Sequence, residues 1–178
     1  MAAKGVHMIR PSAVVALGAF AVFAAGALAQ TAASLDVRAT MQDRVNPAML
    51  AIWDVGNNAL NDDGGIDARL MDDSKWARIA AAAGQLSAAS RDIAAANAFI
   101  AAAPGNSEVG EGEVTMAAVQ QHLDRDPAGL RQMAAALADH ADRIAAAART
   151  KDAETAGDLI GETDAVCESC HMAYWYPE

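Results

Sequence analysis

The chain is poor in the residues that most often announce a function. Only two of its 178 residues are cysteine, so no disulfide framework can staple the fold. Aromatic residues make up 4% of the chain, too few to fill a wide interior with rings. No run alternates apolar and polar residues as a strand does; apolar positions recur every three or four residues. Positive charge is scarce as well. With 13 Lys and Arg against 23 Asp and Glu the net charge is −10, which argues against nucleic acid and against docking on anionic lipid. There is no Ser-His-Asp set, no Gly-rich phosphate loop and no paired carboxylates in a pocket-like pattern, so nothing selects an enzyme.

What the chain has in quantity is alanine. Fourteen of the 27 residues from Ala77 to Ala103 are alanine. Alanine is the best helix former and a poor filler of volume. Such a chain is helical, and a bulky bound cofactor is one way to occupy the space its side chains leave.

Residues 1–29 read as a secretory signal. Lys4 and Arg10 supply the positive n-region, Ala13 to Leu28 the uncharged apolar segment, and Ala27-Leu28-Ala29 the small-x-small cleavage site. The apolar run is short for a spanning helix, so no membrane span is expected in the mature chain. Cleavage after Ala29 leaves residues 30–178 as one domain and takes the net charge from −10 to −12. The expected location is the periplasm.

Five helical stretches follow from the periodicity. The first spans about Ser34 to Asn61. Met41, Val45, Ala48, Ile52, Val55 and Ala59 line one face, and Met49, Trp53, Gly56 and Leu60 a neighbouring one. Pro47 either kinks this helix or, with Asn46 as cap, starts a second. The acidic run Asn61 to Gly65 lacks the ligand pattern of a calcium loop and reads as a solvated turn. The second helix begins at Asp72-Asp73-Ser74 and runs to Ala103, with Ile79, Leu86, Ile93 and Ile100 at seven-residue intervals. Pro104 to Glu113 is a long exposed loop, followed by a short helix from Val114 to Leu123. Asp126-Pro127 opens the next long helix, whose buried face carries Leu130, Met133, Leu137, His140 and Ile144. The last runs from Asp152 to Tyr174, with Ala156, Leu159, Thr163, Val166 and Cys170 on one side. The expectation is an all-α antiparallel four-helix bundle.

The chemistry concentrates at Cys167-Glu168-Ser169-Cys170-His171. C-x-x-C-H is the attachment signal of c-type haem. On a helix, residues i, i+3 and i+4 share a face. Two thiols so placed form thioethers with the haem vinyl groups, and the adjacent imidazole reaches the iron. The other readings fit less well. A C-x-x-C disulfide would constrain little chain. A redox dithiol usually sits in a βαβ unit, absent here. Half a zinc site finds no further cysteine, and the remaining histidines are isolated.

Only seven residues follow His171, so a sixth iron ligand must come from upstream. At this point the sequence resembles the class II c-type cytochromes, the cytochrome c-prime group and its low-spin relatives. Those are four-helix bundles with C-x-x-C-H on the last helix. Tyr174, three residues after His171, matches the family's aromatic; Trp175 stands where the family usually has a basic residue. The segment Met41-Gln42-Asp43-Arg44-Val45-Asn46-Pro47 with Trp53 is similar to a branch of that family.

The resemblance implies one covalently attached haem c with His171 as axial ligand. It also implies a distal residue on the first helix, a methionine ligand in low-spin members and a non-ligating residue in high-spin ones. Met41 is the expected residue and Met49 the runner-up; core packing is the alternative for both. His140 is a weaker candidate, more in keeping with a helix interface. His122 sits among polar neighbours and reads as exposed. His7 belongs to the signal. Arg38, one turn before Met41, is either a solvated surface residue or, as in family members, a partner of a haem propionate.

Two functions follow. One is periplasmic electron transfer, with an acidic surface steering a redox partner that carries a basic patch. The other is binding of nitric oxide or carbon monoxide at a five-coordinate iron. Homodimers occur in the resembled family, and the Ala-rich helix faces here suit one.

Overall fold

The computed structural model describes residues 1–2, 34–111 and 113–176. The expected signal segment after residue 2 and its cleavage site lie outside them. The described residues from 34 onward belong to one compact unit. Its helices are α1 (Val37–Thr40), α2 (Asn46–Asn57), α3 (Asp73–Ala95), α4 (Met116–Arg125), α5 (Pro127–Thr150) and α6 (Ala153–Tyr174). The fold is all-α. None of these helices is long and apolar enough to cross a membrane.

Caps explain where most helices start. Asp36, Asp72, Thr115, Asp126 and Asp152 each accept a hydrogen bond from a backbone N–H in the first turn of the helix they precede. Three of these helix starts, at Asp72, Asp126 and Asp152, agree with the sequence reading. Lys151, at φ 57°, ends α5, and Asp152 caps α6 immediately after it. A connection this short sets α5 and α6 side by side.

Between α1 and α2 the backbone does not break. Met41–Val45 is a π turn, in which the Asn46 N–H bonds to the Met41 carbonyl five residues back. Pro47 has no N–H to donate, and its ring would press on the carbonyl four residues earlier. Widening the preceding turn relieves both problems, one of the recognised ways a helix passes a proline. Pro47 therefore starts no separate helix, and Asn46, at φ −59° and ψ −46°, is helical rather than a cap.

The second expected helix ends earlier than its alanine content suggests, at Ala95 instead of Ala103. Arg131 takes the Ala96 and Asn97 carbonyls, at 2.8 and 2.7 Å, and lies 5.2 Å from the Phe99 ring centre. Phe99–Ile100 then pairs in parallel with Leu35–Asp36, two residues on each side. Tertiary bonds outweigh helix propensity here. The first helix correspondingly begins at Val37, not Ser34.

Ile52, Ile79, Leu86 and Ile144 are fully buried, each contributing about 1.5–3 kcal/mol of hydrophobic stabilisation. They belong to one core cluster, built on α2, α3, α5 and the first half of α6. A second cluster gathers Phe99, Val119, Leu123, Leu130 and Tyr174. Met41 packs against both. The α3 and α5 contact is made largely of buried alanines, among them Ala82, Ala83, Ala89, Ala138, Ala141 and Ala145.

The acidic run after α2 is an exposed turn in which Asn61 Oδ1 accepts from the Asp63 and Gly65 N–H groups.

Candidate haem site

Cys167, Cys170 and His171 lie within the last two turns of α6. The thiols are half-buried and form no disulfide. Burial pushes the Cys170 thiol up to about 11 and raises Cys167 as well, with Asp164 adding to the shift. A redox dithiol needs the opposite, a lowered thiol at an electropositive site. His171 is exposed on the helix surface, its ring edge-to-face with Tyr176 at 6.3 Å between centroids. The His171 carbonyl accepts from the Trp175 and Tyr176 N–H groups, which folds the chain end back over the last turn.

Two cavities open beside these residues, of about 250 and 220 Å³. Met41, Asn46, Leu130, Cys170 and His171 line both. The cavities are thus two halves of one slot between the first helix, the start of α5 and the end of α6. The smaller half is lined by Val45, Met49, Trp53, Met133, Leu137 and Val166, nearly all apolar. The larger carries Arg38, Gln42 and Glu113 with Val37, Val114 and Trp175.

The slot suits a flat, mostly apolar group with an anionic end. Arg38 supplies the clearest sign. Its Nη1 is buried and is the one such side-chain atom, among the described residues, without a hydrogen-bond partner. A buried guanidinium nitrogen left unpaired costs about 1–3 kcal/mol or more. A carboxylate entering the larger cavity would remove that cost. Arg38 is half-buried, so the reading of a solvated surface arginine does not hold.

The other candidates separate cleanly. Met41 faces both cavities, whereas Met49 is 3% exposed and lines only the apolar one. His140 lines neither. It is buried, with Nε2 at 2.8 Å from the Leu159 carbonyl and 3.2 Å from Thr163 Oγ1, and it ties α5 to α6. His122, expected to be exposed, is half-buried on α4 and lines neither cavity. Trp175, in the position of the family's basic residue, lines the larger cavity.

Sequence reasoning passed over Asn46, Gln42 and Glu113 as site residues. The signal available for the first two was Pro47, which forces an irregular turn on the helix it interrupts.

A family model described as Cytochrome C' matches residues 64–175. The match takes in α3 to α6 with the whole C-x-x-C-H run and leaves out the first helix. No curated protein and no solved structure matches the chain. Members of this family carry covalently attached haem c and are generally periplasmic. The apolar slot, the unpartnered guanidinium at one end of it and the matched C-x-x-C-H helix agree: the chain belongs to the cytochrome c' family, and its cofactor is a covalently attached c-type haem.

Proposed function

We propose that this protein is a periplasmic electron carrier, exported by residues 1–29 and functioning as residues 30–178. Cys167 and Cys170 hold the haem through thioether bonds. His171 and Met41 would be the ligands of its iron. When bound, the haem supplies a one-electron iron couple; a histidine–methionine pair favours the reduced state and raises the potential. The observation that carries this reading is that Met41 and His171, 130 positions apart in the chain, line the same two cavities.

The surrounding residues fit that role. The apolar side chains of Leu130, Met133 and Leu137 in the smaller cavity would shield a bound haem from water. Arg38 meets a haem carboxylate at the polar end. The four long helical segments touch in a closed ring, α2 with α3, α3 with α5, α5 with α6 and α6 with α2, which supports an antiparallel four-helix bundle. On α6 the exposed charges are Glu154, Asp158, Glu162, Asp164 and Glu168, with no Lys or Arg in the helix. A partner with a basic patch would be steered toward this helix, and association would weaken with salt.

Optical spectra of the holoprotein test the reading. The expected result is a low-spin ferric spectrum with an iron–methionine near-infrared band, lost in Met41→Ala, and a ferrous spectrum that carbon monoxide leaves unchanged. A high-spin spectrum that shifts fully with carbon monoxide would overturn Met41 ligation and favour gas binding.

A further inference from the structure

Five residues line both halves of the slot, and Asn46 is the only one of them with a neutral amide side chain. Its placement follows from the π turn. In an α-helix the residue above Met41 would be the one four positions on, and the fifth would be carried further round the cylinder. Here the Asn46 N–H bonds to the Met41 carbonyl, so the fifth residue stacks over Met41. Pro47 imposes this register, because it removes the N–H that a regular turn needs.

Asn46 is exposed where it lines the two cavities. Asn46 is helical and caps nothing. Asparagine is a weak helix former. No hydrogen bond joins its carboxamide to another described residue.

We propose that Asn46 is the hydrogen-bond donor of the iron's distal site, its carboxamide N–H donating to whichever atom holds the sixth position. The inference rests on the reading of His171 as the iron ligand and of the Met41 side as distal. With Met41 bound, the acceptor is the thioether sulfur, a weak one. With a small exogenous ligand bound, the acceptor is that ligand's outer atom. Asn46 is uncharged, so it adds this preference without bringing a titrating group to the site.

The test uses holoprotein carrying Asn46→Leu or the near-isosteric Asn46→Asp, each in the native and the Met41→Ala background. In Met41→Ala the probe is carbon monoxide on the ferrous protein. Both substitutions at Asn46 should raise the C–O stretching frequency, Asn46→Asp the more, because a carboxylate accepts where the amide donated. In the native background the probe is imidazole added to ferric protein. Loss of the donor should let imidazole displace Met41 roughly fivefold more readily, the equivalent of one ordinary hydrogen bond. An unchanged C–O frequency in both variants would overturn the proposal. The two readings fail separately. If Met41→Ala leaves the ferric spectrum unaltered, Met41 is not a ligand, while a frequency shift in the Asn46 variants still supports the donor role.

Discussion

The Tyr174 hydroxyl donates to the Asp126 backbone carbonyl at 2.7 Å, joining the end of the haem-bearing helix to the start of α5. Asp126 is also the cap of α5, its carboxylate accepting from the Gly129 N–H at 2.8 Å. Gly129 makes room for both. A β-carbon there would lie 2.7 Å from the Tyr174 hydroxyl and still closer to the Asp126 carboxylate. This knot holds the end of α6 against the start of α5.

Two substitutions probe the knot. Tyr174→Phe removes the hydroxyl's bond and leaves the Asp126 carbonyl with the 3.4 Å bond from the Leu130 N–H, so it should cost about 0.5–1.5 kcal/mol. Gly129→Ala should cost at least as much, since the cap and the tyrosine must both move. Urea unfolding of the holoprotein, followed by far-ultraviolet circular dichroism, measures both. A midpoint unchanged in Tyr174→Phe would show that the hydroxyl contributes nothing.

Alkaline pH loosens the same contact. Burial, and then the charge of Asp126, push the Tyr174 phenol from 10 up to about 12. A phenol held protonated in the fold but not in the unfolded chain contributes stability that is fully present below pH 10. That contribution is lost as pH rises toward 12. Stability should therefore decline over this window, and Tyr174→Phe should flatten the decline. An equal decline in the variant would assign the effect to other groups.

Arg38 is expected to act on the bound haem more than on the fold. Replacing it by leucine removes a cation from the polar end of the slot. The ferric state, the more positive of the two, should gain, so the reduction potential should fall. Arg38→Lys should fall less. Potentiometric titration of the three proteins checks the order; equal potentials would mean that Arg38 does not approach the haem.

His140 offers the opposite contrast. His140→Leu removes the bond to the Leu159 carbonyl and to Thr163 Oγ1, at a cost of about 1–3 kcal/mol. The ferric and ferrous spectra should stay as they were, because His140 lines neither cavity. A changed Soret band with unaltered stability would reverse this assignment.

Much of this architecture was legible in local residue patterns. The spacing of Cys167, Cys170 and His171, the caps at Asp72, Asp126 and Asp152, and the buried stripe from Val45 to Ala59 are properties of a helix. They can be read wherever 3.6-residue periodicity holds. The place of Met41 on the apolar face of the first helix was legible for the same reason. The stop of α3 at Ala95 was not, because the groups that end it, Arg131 and the Leu35–Asp36 strand, are remote in sequence.

Periodicity and motif thus specified an all-helical chain with its haem attachment signal on the last helix, since both are encoded within a few consecutive residues. They left open which side chains meet across the slot. The buried, unpartnered Arg38 nitrogen and the withdrawal of His140 into a helix contact both arise from packing between distant segments. Each depends on what lies opposite, and residue order within one helix does not contain that information.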